Sequence, residues 1–340
     1  MPVFPINATL LDMTMQQLKK WSLPEKLRKP LSLSLLAAGG LALLVLFLAA
    51  GGTPESDPQL PPTRPFLSSF RLPQEMQFAG QPVPLDNWQV RERIEYEFYQ
   101  FLGDEGENII LAKRTGRCFP LVERMLAEAG MPDDLKYVLL VESKCLPAAT
   151  SSAKAAGPWQ FTSSTGRHFD LERTYWKDER RDLERSTEAA IKYLKVLHNL
   201  FDDWYLALAA YNAGEKRIRM ALRDQKVADY WKVRFNSETM RYIPRILAVK
   251  EIFSQPEKFL SLAKEDLYTP VDTERVTVKI AGQRQHLSSL AAEFGSYFLE
   301  LKLLNPEIRK DFLPGGTHEI RVPRQSIPGC LEGCDNPHAP

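Results

Sequence analysis

The feature that most constrains this chain is Leu31 to Ala50, LSLSLLAAGGLALLVLFLAA, twenty consecutive residues without a charge. A helix rising about 1.5 Å per residue would carry that run across roughly 30 Å, the hydrocarbon thickness of a bilayer. Lys19, Lys20, Lys26, Arg28 and Lys29 precede it against Asp12 and Glu25 alone, and Glu55 and Asp57 come after it. Positive charge stays on the cytoplasmic side, so the asymmetry predicts a cytoplasmic tail over residues 1–30, a transmembrane signal anchor over 31–50 and the remainder across the membrane. A cleaved signal peptide fits less well, because the apolar run is long for one and a 30-residue tail stands before it. No cysteine directly follows the run to accept a lipid.

Residues 51–84 hold eight of the chain's 25 prolines. That density opposes regular helix, and the stretch reads as a stand-off linker whose apolar end, Leu72 to Val83, is placed to pack on the adjoining domain. Residues 85–262 read as helices. Val90 to Leu102 carries apolar residues at helical spacing. Phe119 to Ala129 is stopped by Gly130, with Pro132 placed to open the next helix. Asp134 to Cys145, Thr187 to Leu200, and Trp204 to Ala213 ahead of Gly214 complete a mostly α domain. After Pro256 the pattern changes: strand Arg275–Ile280, helices Leu287–Phe294 and Tyr297–Leu304, strand His318–Val322. This predicts a small α+β module of β-α-α-β order over residues 270–323, with a short tail over 324–340.

Forty-four Lys+Arg against 43 Asp+Glu leave no basic excess for a phosphate backbone, which argues against nucleic acid as a partner. The five histidines and four cysteines are scattered without metal-ligand spacing, so no metal is expected.

Chemistry concentrates after residue 134. In DLKYVLLVESKC the apolar run Tyr137 to Val141 buries a helix on nearly all sides, with Glu142 attached to its end. Burial disfavours the charged carboxylate and raises its pKa, which suits a general acid; taken alone, Glu142 reads better as a residue emerging to solvent. Ala149 to Gly166 then runs through small and hydroxylic residues. These let a backbone approach a ligand, with Trp159 offering a ring to a sugar face and Gln160 both a donor and an acceptor. Further on, Ala210-Tyr211-Asn212-Ala213-Gly214 ends a helix in polar groups, and Tyr242 opens another apolar helix.

Taken in order, Glu142-Ser143, Ser151, Ala155, Gly157, Trp159-Gln160, Thr165-Gly166, Ala210 to Gly214, Glu238-Thr239 and Tyr242-Ile243 resemble the soluble lytic transglycosylase (SLT) domain, most like its membrane-bound D subfamily of murein enzymes. Lys154 stands where that pattern has glycine or asparagine, and Thr162-Ser163 replaces its Met-Pro. The β-α-α-β module is similar to a LysM repeat, with Gly282-Gln283-Arg284 in place of the usual Gly-Asp-Thr turn. The resemblance implies a lysozyme-like α fold and peptidoglycan glycan strands as substrate. It implies Glu142 as single acid/base, with Ser151, Gln160, Tyr211, Asn212, Glu238 and Tyr242 around the saccharide. No cofactor is implied.

Such chemistry cleaves the bond between N-acetylmuramic acid and N-acetylglucosamine without water, leaving 1,6-anhydro ends, and needs one carboxyl group where ordinary glycosidases need two. Two alternatives stay open: a muramidase that uses water, and a catalytically silent wall-binding tether. The expected location is the inner membrane of a diderm bacterium, with the catalytic domain in the periplasm. That compartment favours disulfides Cys118–Cys145 and Cys330–Cys334, the first pair reading almost as well as two unrelated buried thiols.

Overall fold

The computed structural model describes residues 67–324; the expected cytoplasmic tail, the signal anchor, the linker up to residue 66, and Cys330 with Cys334 lie outside the described residues. Among the described residues no helix is long and apolar enough to cross a membrane.

The main core is helical for the reasons the sequence suggests, with longer elements. Helix α1 (Trp88–Gly103) starts at Asn87, whose side chain accepts from the Gln89 N–H, and buries Val90, Ile94, Phe98 and Leu102 along one stripe. Helix α2 (Glu105–Glu128) begins well before the expected Phe119 and runs through Pro120. Gly106, Gly116 and Pro120 suggest a broken segment, yet Leu111, Ala112, Thr115, Cys118, Phe119, Val122 and Leu126 form a continuous buried face. Gly116 serves contact instead of flexibility: a Cβ there would lie 2.4 Å from the Tyr268 carbonyl of the chain crossing above it.

After a 3-10 turn at Asp133–Leu135 comes α3 (Lys136–Ser143), buried from Tyr137 to Leu140. Short α4 (Ser163–His168) is capped by Thr162, the residue departing from the family pattern, whose hydroxyl accepts from the Thr165 N–H at 3.1 Å. Helices α5 (Leu183–Phe201) and α6 (Trp204–Ala213) are capped by Asp182 and Asp203, and α6 is buried from Trp204 to Ala210. Next come α7 (Glu215–Gln225), α8 (Ser237–Phe253, capped by Asn236) and α9 (Pro256–Leu260). Helix α8 packs on α1, α3 and α6, and α5 on α6 and α2, so the core lies around α6 and α8.

The apolar end of the 51–84 stretch packs on the adjoining domain, as its residues suggest, so the domain begins before residue 85. A hairpin of β1 (Gln77–Phe78) and β2 (Gln81–Pro82) is tied to the core through the Ala79 N–H, which donates to Asp134 Oδ2 at 2.7 Å. Leu72, Phe78, Val83 and Leu85 are buried. Prolines exclude helix but do not prevent apolar side chains from packing, and here burial decides.

The C-terminal module has the expected order: β3 (Thr273–His286), α10 (Leu287–Glu293), α11 (Phe298–Leu304) and β4 (Phe312–Pro323). Its strands are longer than the side-chain alternation marked. They are antiparallel, with Val276 opposite Ile320 and an irregularity between Ile280 and Arg284. A second core of Val278, Ile280, Leu287, Leu290, Leu301 and Leu313 fills it.

This module is joined to the helical core by backbone and charge. The Asp178 N–H donates to the Glu307 carbonyl at 2.8 Å, and the Arg309 N–H to the Trp176 carbonyl at 2.7 Å. Arg321 donates with both terminal nitrogens to Asp182, at 2.9 and 3.0 Å. Asp182 therefore caps α5 and pairs across the junction with one carboxylate. Burial alone would raise its pKa, but Arg321, the Arg185 N–H and Arg275 together more than offset that and hold it below the ordinary value.

Candidate active site

Helix α3 stops abruptly one residue after Glu142. Lys144 and Cys145 both take left-handed backbone angles, φ 55° and 56°, although neither is glycine. Such conformations cost roughly 1 kcal/mol each and persist where surroundings fix them. Here a Cys118–Cys145 disulfide ties the turn to α2, and Lys144 pairs with Glu107. The reversal leaves Glu142 half-buried at the helix end.

The Tyr242 hydroxyl, from α8, donates to Glu142 Oε1. The Glu142 pKa is pushed up to about 7, chiefly by burial and further by negative charge on Glu238, while the Tyr242 hydrogen bond and the positive charge of Arg245 pull it back. Burial and then the charge of Glu142 push the hydroxyls of Tyr211 and Tyr242 well above their usual pKa, so both remain proton donors.

The other expected residues arrive from three elements. Gly214 closes α6, placing Tyr211 and Asn212 at its end. Tyr211 donates to the Trp159 carbonyl at 2.7 Å, and Asn212 Oδ1 accepts from Thr239 at 3.0 Å. Glu238 stands exposed in the first turn of α8. Ser151 is exposed, its hydroxyl accepting from the Ala155 N–H at 3.1 Å. Gln160 takes φ 49° and turns its amide back to the Gly157 carbonyl at 2.7 Å. Lys154 has φ 62°, which accounts for the glycine or asparagine of the family pattern at this place.

Trp159 corrects an expectation. It is fully buried, with its ring N–H donating to Thr187 at 2.8 Å, so it supports the loop from inside and offers no face to a sugar. A small-residue run shows that backbones come close; it does not say on which side the one large ring points.

Sequence reading also missed the groups beneath this loop. Buried Arg180 is gripped by Asp178 through two contacts of 2.8 Å and donates to the carbonyls of Lys154 and Phe161 at 3.1 and 2.8 Å. Gly157 lies so close that a Cβ would meet the Arg180 carbonyl at 1.6 Å. Also missed were Glu97 on α1 and Arg245 on α8. Glu97 accepts from Arg241 and, at 3.0 Å, from Arg245. Four-residue spacing of the two arginines on one helix face was the available signal. Among the described residues, no group of three or more His, Cys, Asp or Glu side chains could hold a metal.

The transglycosylase SLT domain family matches residues 121–234, which include Glu142, Ser151, Gln160, Tyr211 and Asn212 and end before α8. The chain is 37% identical over 162 residues to membrane-bound lytic murein transglycosylase D of Escherichia coli strain K12, covering 43% of this chain and 36% of that protein. The same protein from Escherichia coli O6:H1 aligns with the same figures. A protein of Alteromonas sp. strain M-1 named for tributyltin chloride resistance is 34% identical over 117 residues, covering 33% of this chain and 56% of that one. This chain thus spans about a third of the length of the first two relatives.

Proposed function

From a chain that carries a transglycosylase SLT domain, we propose a peptidoglycan lytic transglycosylase with Glu142 as its single acid/base. Protonated Glu142 donates to the oxygen between N-acetylmuramic acid and N-acetylglucosamine as the bond from C1 to that oxygen breaks. The substrate's own acetamido group shares the positive charge at C1. The carboxylate then removes the proton from the C6 hydroxyl, whose oxygen bonds to C1. One bond is lost, one is gained, and Glu142 ends protonated as it began. The attacking hydroxyl belongs to the substrate, so orientation and proton transfer are what the protein supplies.

The observation that carries this reading is the half-buried Glu142 with its pKa near 7, held at Oε1 by a tyrosine that stays protonated. Both protonation states are then accessible near neutral pH, and Oε2 is left to face the substrate. Residues 31–50 would anchor the chain in the inner membrane with the catalytic unit in the periplasm. The C-terminal module, similar to a LysM repeat, would add affinity for polymer.

Hydrolysis is the second reading, favoured by one observation: exposed Glu238 lies close enough to bear on Glu142, and a hydrolase needs a second carboxyl group. Mass analysis of products from purified sacculi separates the readings. Anhydro ends lost more than about a hundredfold in Glu142→Gln, and retained in Glu238→Gln, are expected. Free reducing ends that vanish in Glu238→Gln would establish hydrolysis instead.

A further inference from the structure

Glu97 is buried, 2% exposed, in the middle of α1, and its whole carboxylate is consumed by Arg241 Nε and Arg245 Nε. Each arginine uses only that nitrogen. Among the described residues neither guanidinium makes another hydrogen bond, and the side chains are 44% and 33% exposed. Two planar cations are therefore held side by side by a buried anchor with their outer nitrogens free. That is the arrangement that binds a carboxylate through paired N–H groups.

The surroundings give the site length. Arg241, Arg245 and Lys144 border a cavity of about 260 Å³ that also touches Val141, the residue before Glu142. Arg241 and Glu97 border a second cavity of about 360 Å³ on the other side, walled by Trp88 and Tyr96. Those two rings are 69% and 52% exposed, and the Arg241 guanidinium lies 5.0 Å from the centre of the Tyr96 ring. Two cavities that share Glu97 and Arg241 thus flank the paired cations, the first lined also by Asp104 and by Glu107, which pairs with Lys144, and the second open at an aromatic wall. Together they fit a branch of the substrate better than a point ion.

We propose that Arg241 and Arg245 receive a free carboxylate of the peptide arm attached to the glycan, so that the protein selects strands by the charge of their peptides. The inference rests on the peptidoglycan reading and adds the part of the substrate that is recognised. Peptide arms carry carboxylates that can be free or amidated, whereas the sugar backbone itself is the same in both forms.

Calorimetric titration of the 340-residue chain carrying Glu142→Gln tests it. The probes are a glycan tetrasaccharide bearing tetrapeptide arms and the same fragment with its peptide carboxylates converted to carboxamides. The free-carboxylate probe should bind about tenfold tighter. Adding Arg241→Ala should bring that ratio close to one, and Arg241→Lys, which keeps a charge for Glu97 but loses the fork, to about threefold. A ratio of one in the parent, or a tenfold ratio that survives both substitutions, overturns the proposal. Products made by the unsubstituted chain keep the two ideas apart. Anhydro ends with a ratio of one refute peptide selection alone. A tenfold ratio without anhydro ends refutes the transglycosylase reading alone.

Discussion

The chemistry proposed for Glu142 depends on its place one residue before α3 stops, half-buried between buried Leu140 and buried Ser143. Tyr242 sets the balance. Its hydrogen bond favours the carboxylate, so Tyr242→Phe should raise the Glu142 pKa above about 7. The alkaline limb of kcat/KM should move upward with it, and a limb left in place would show that Glu142 is not the group titrating. The same raised pKa has a stability consequence. Its contribution is fully present below the unfolded value near 4.5 and is lost as pH rises through about 7. Glu142→Gln, which cannot ionise, should therefore exceed the parent by on the order of 2 kcal/mol at pH 8 and match it at pH 4. Urea titrations at the two pH values read this directly, and a less stable variant at pH 8 would contradict it.

At the scale of elements, the cleft loop is held by a buried ion pair instead of by regular structure. Arg180 reaches two loop carbonyls while Asp178 neutralises it. Removing one partner of such a pair strands the other. Arg180→Ala should cost about 3 kcal/mol and raise KM more than it lowers kcat, because the loop and not the acid is displaced. Unchanged stability would mean that the loop holds itself. The helices were legible where apolar stripes and stop residues are local in sequence, as along Val90 to Leu102 and at Gly214, while the caps Asn87 and Asp203 went unread. The first half of α2 was not, since its glycines and proline signal a break that only packing overrules. Trp159 was misread for a related reason: the side of the loop on which it sits is settled by Thr187, 28 residues away.

Across the whole described unit, the C-terminal module and the helical core share a charged junction. Arg321 satisfies Asp182, and Glu307, next to both, has its pKa raised to about 7 by burial and by the charge of Asp182. Arg321→Ala would leave Asp182 buried and unpaired, and a loss of about 3 kcal/mol is expected, near 10 °C in melting midpoint for a domain of this size. A midpoint within 2 °C or so of the parent would show that the modules merely touch. The sequence by itself determined the order of the motifs, the candidate acid, the positions of most helices and the β-α-α-β pattern, because each depends on residue types within a turn or two of one another. Tertiary structure alone decided the particular contacts that hold the candidate acid, anchor the paired arginines and join the modules. Tyr242 lies 100 residues from Glu142, Arg245 148 from Glu97, and Arg321 139 from Asp182. A buried charge takes its pKa and its partner from whatever folding brings against it, and chain-local patterns carry no record of that neighbour.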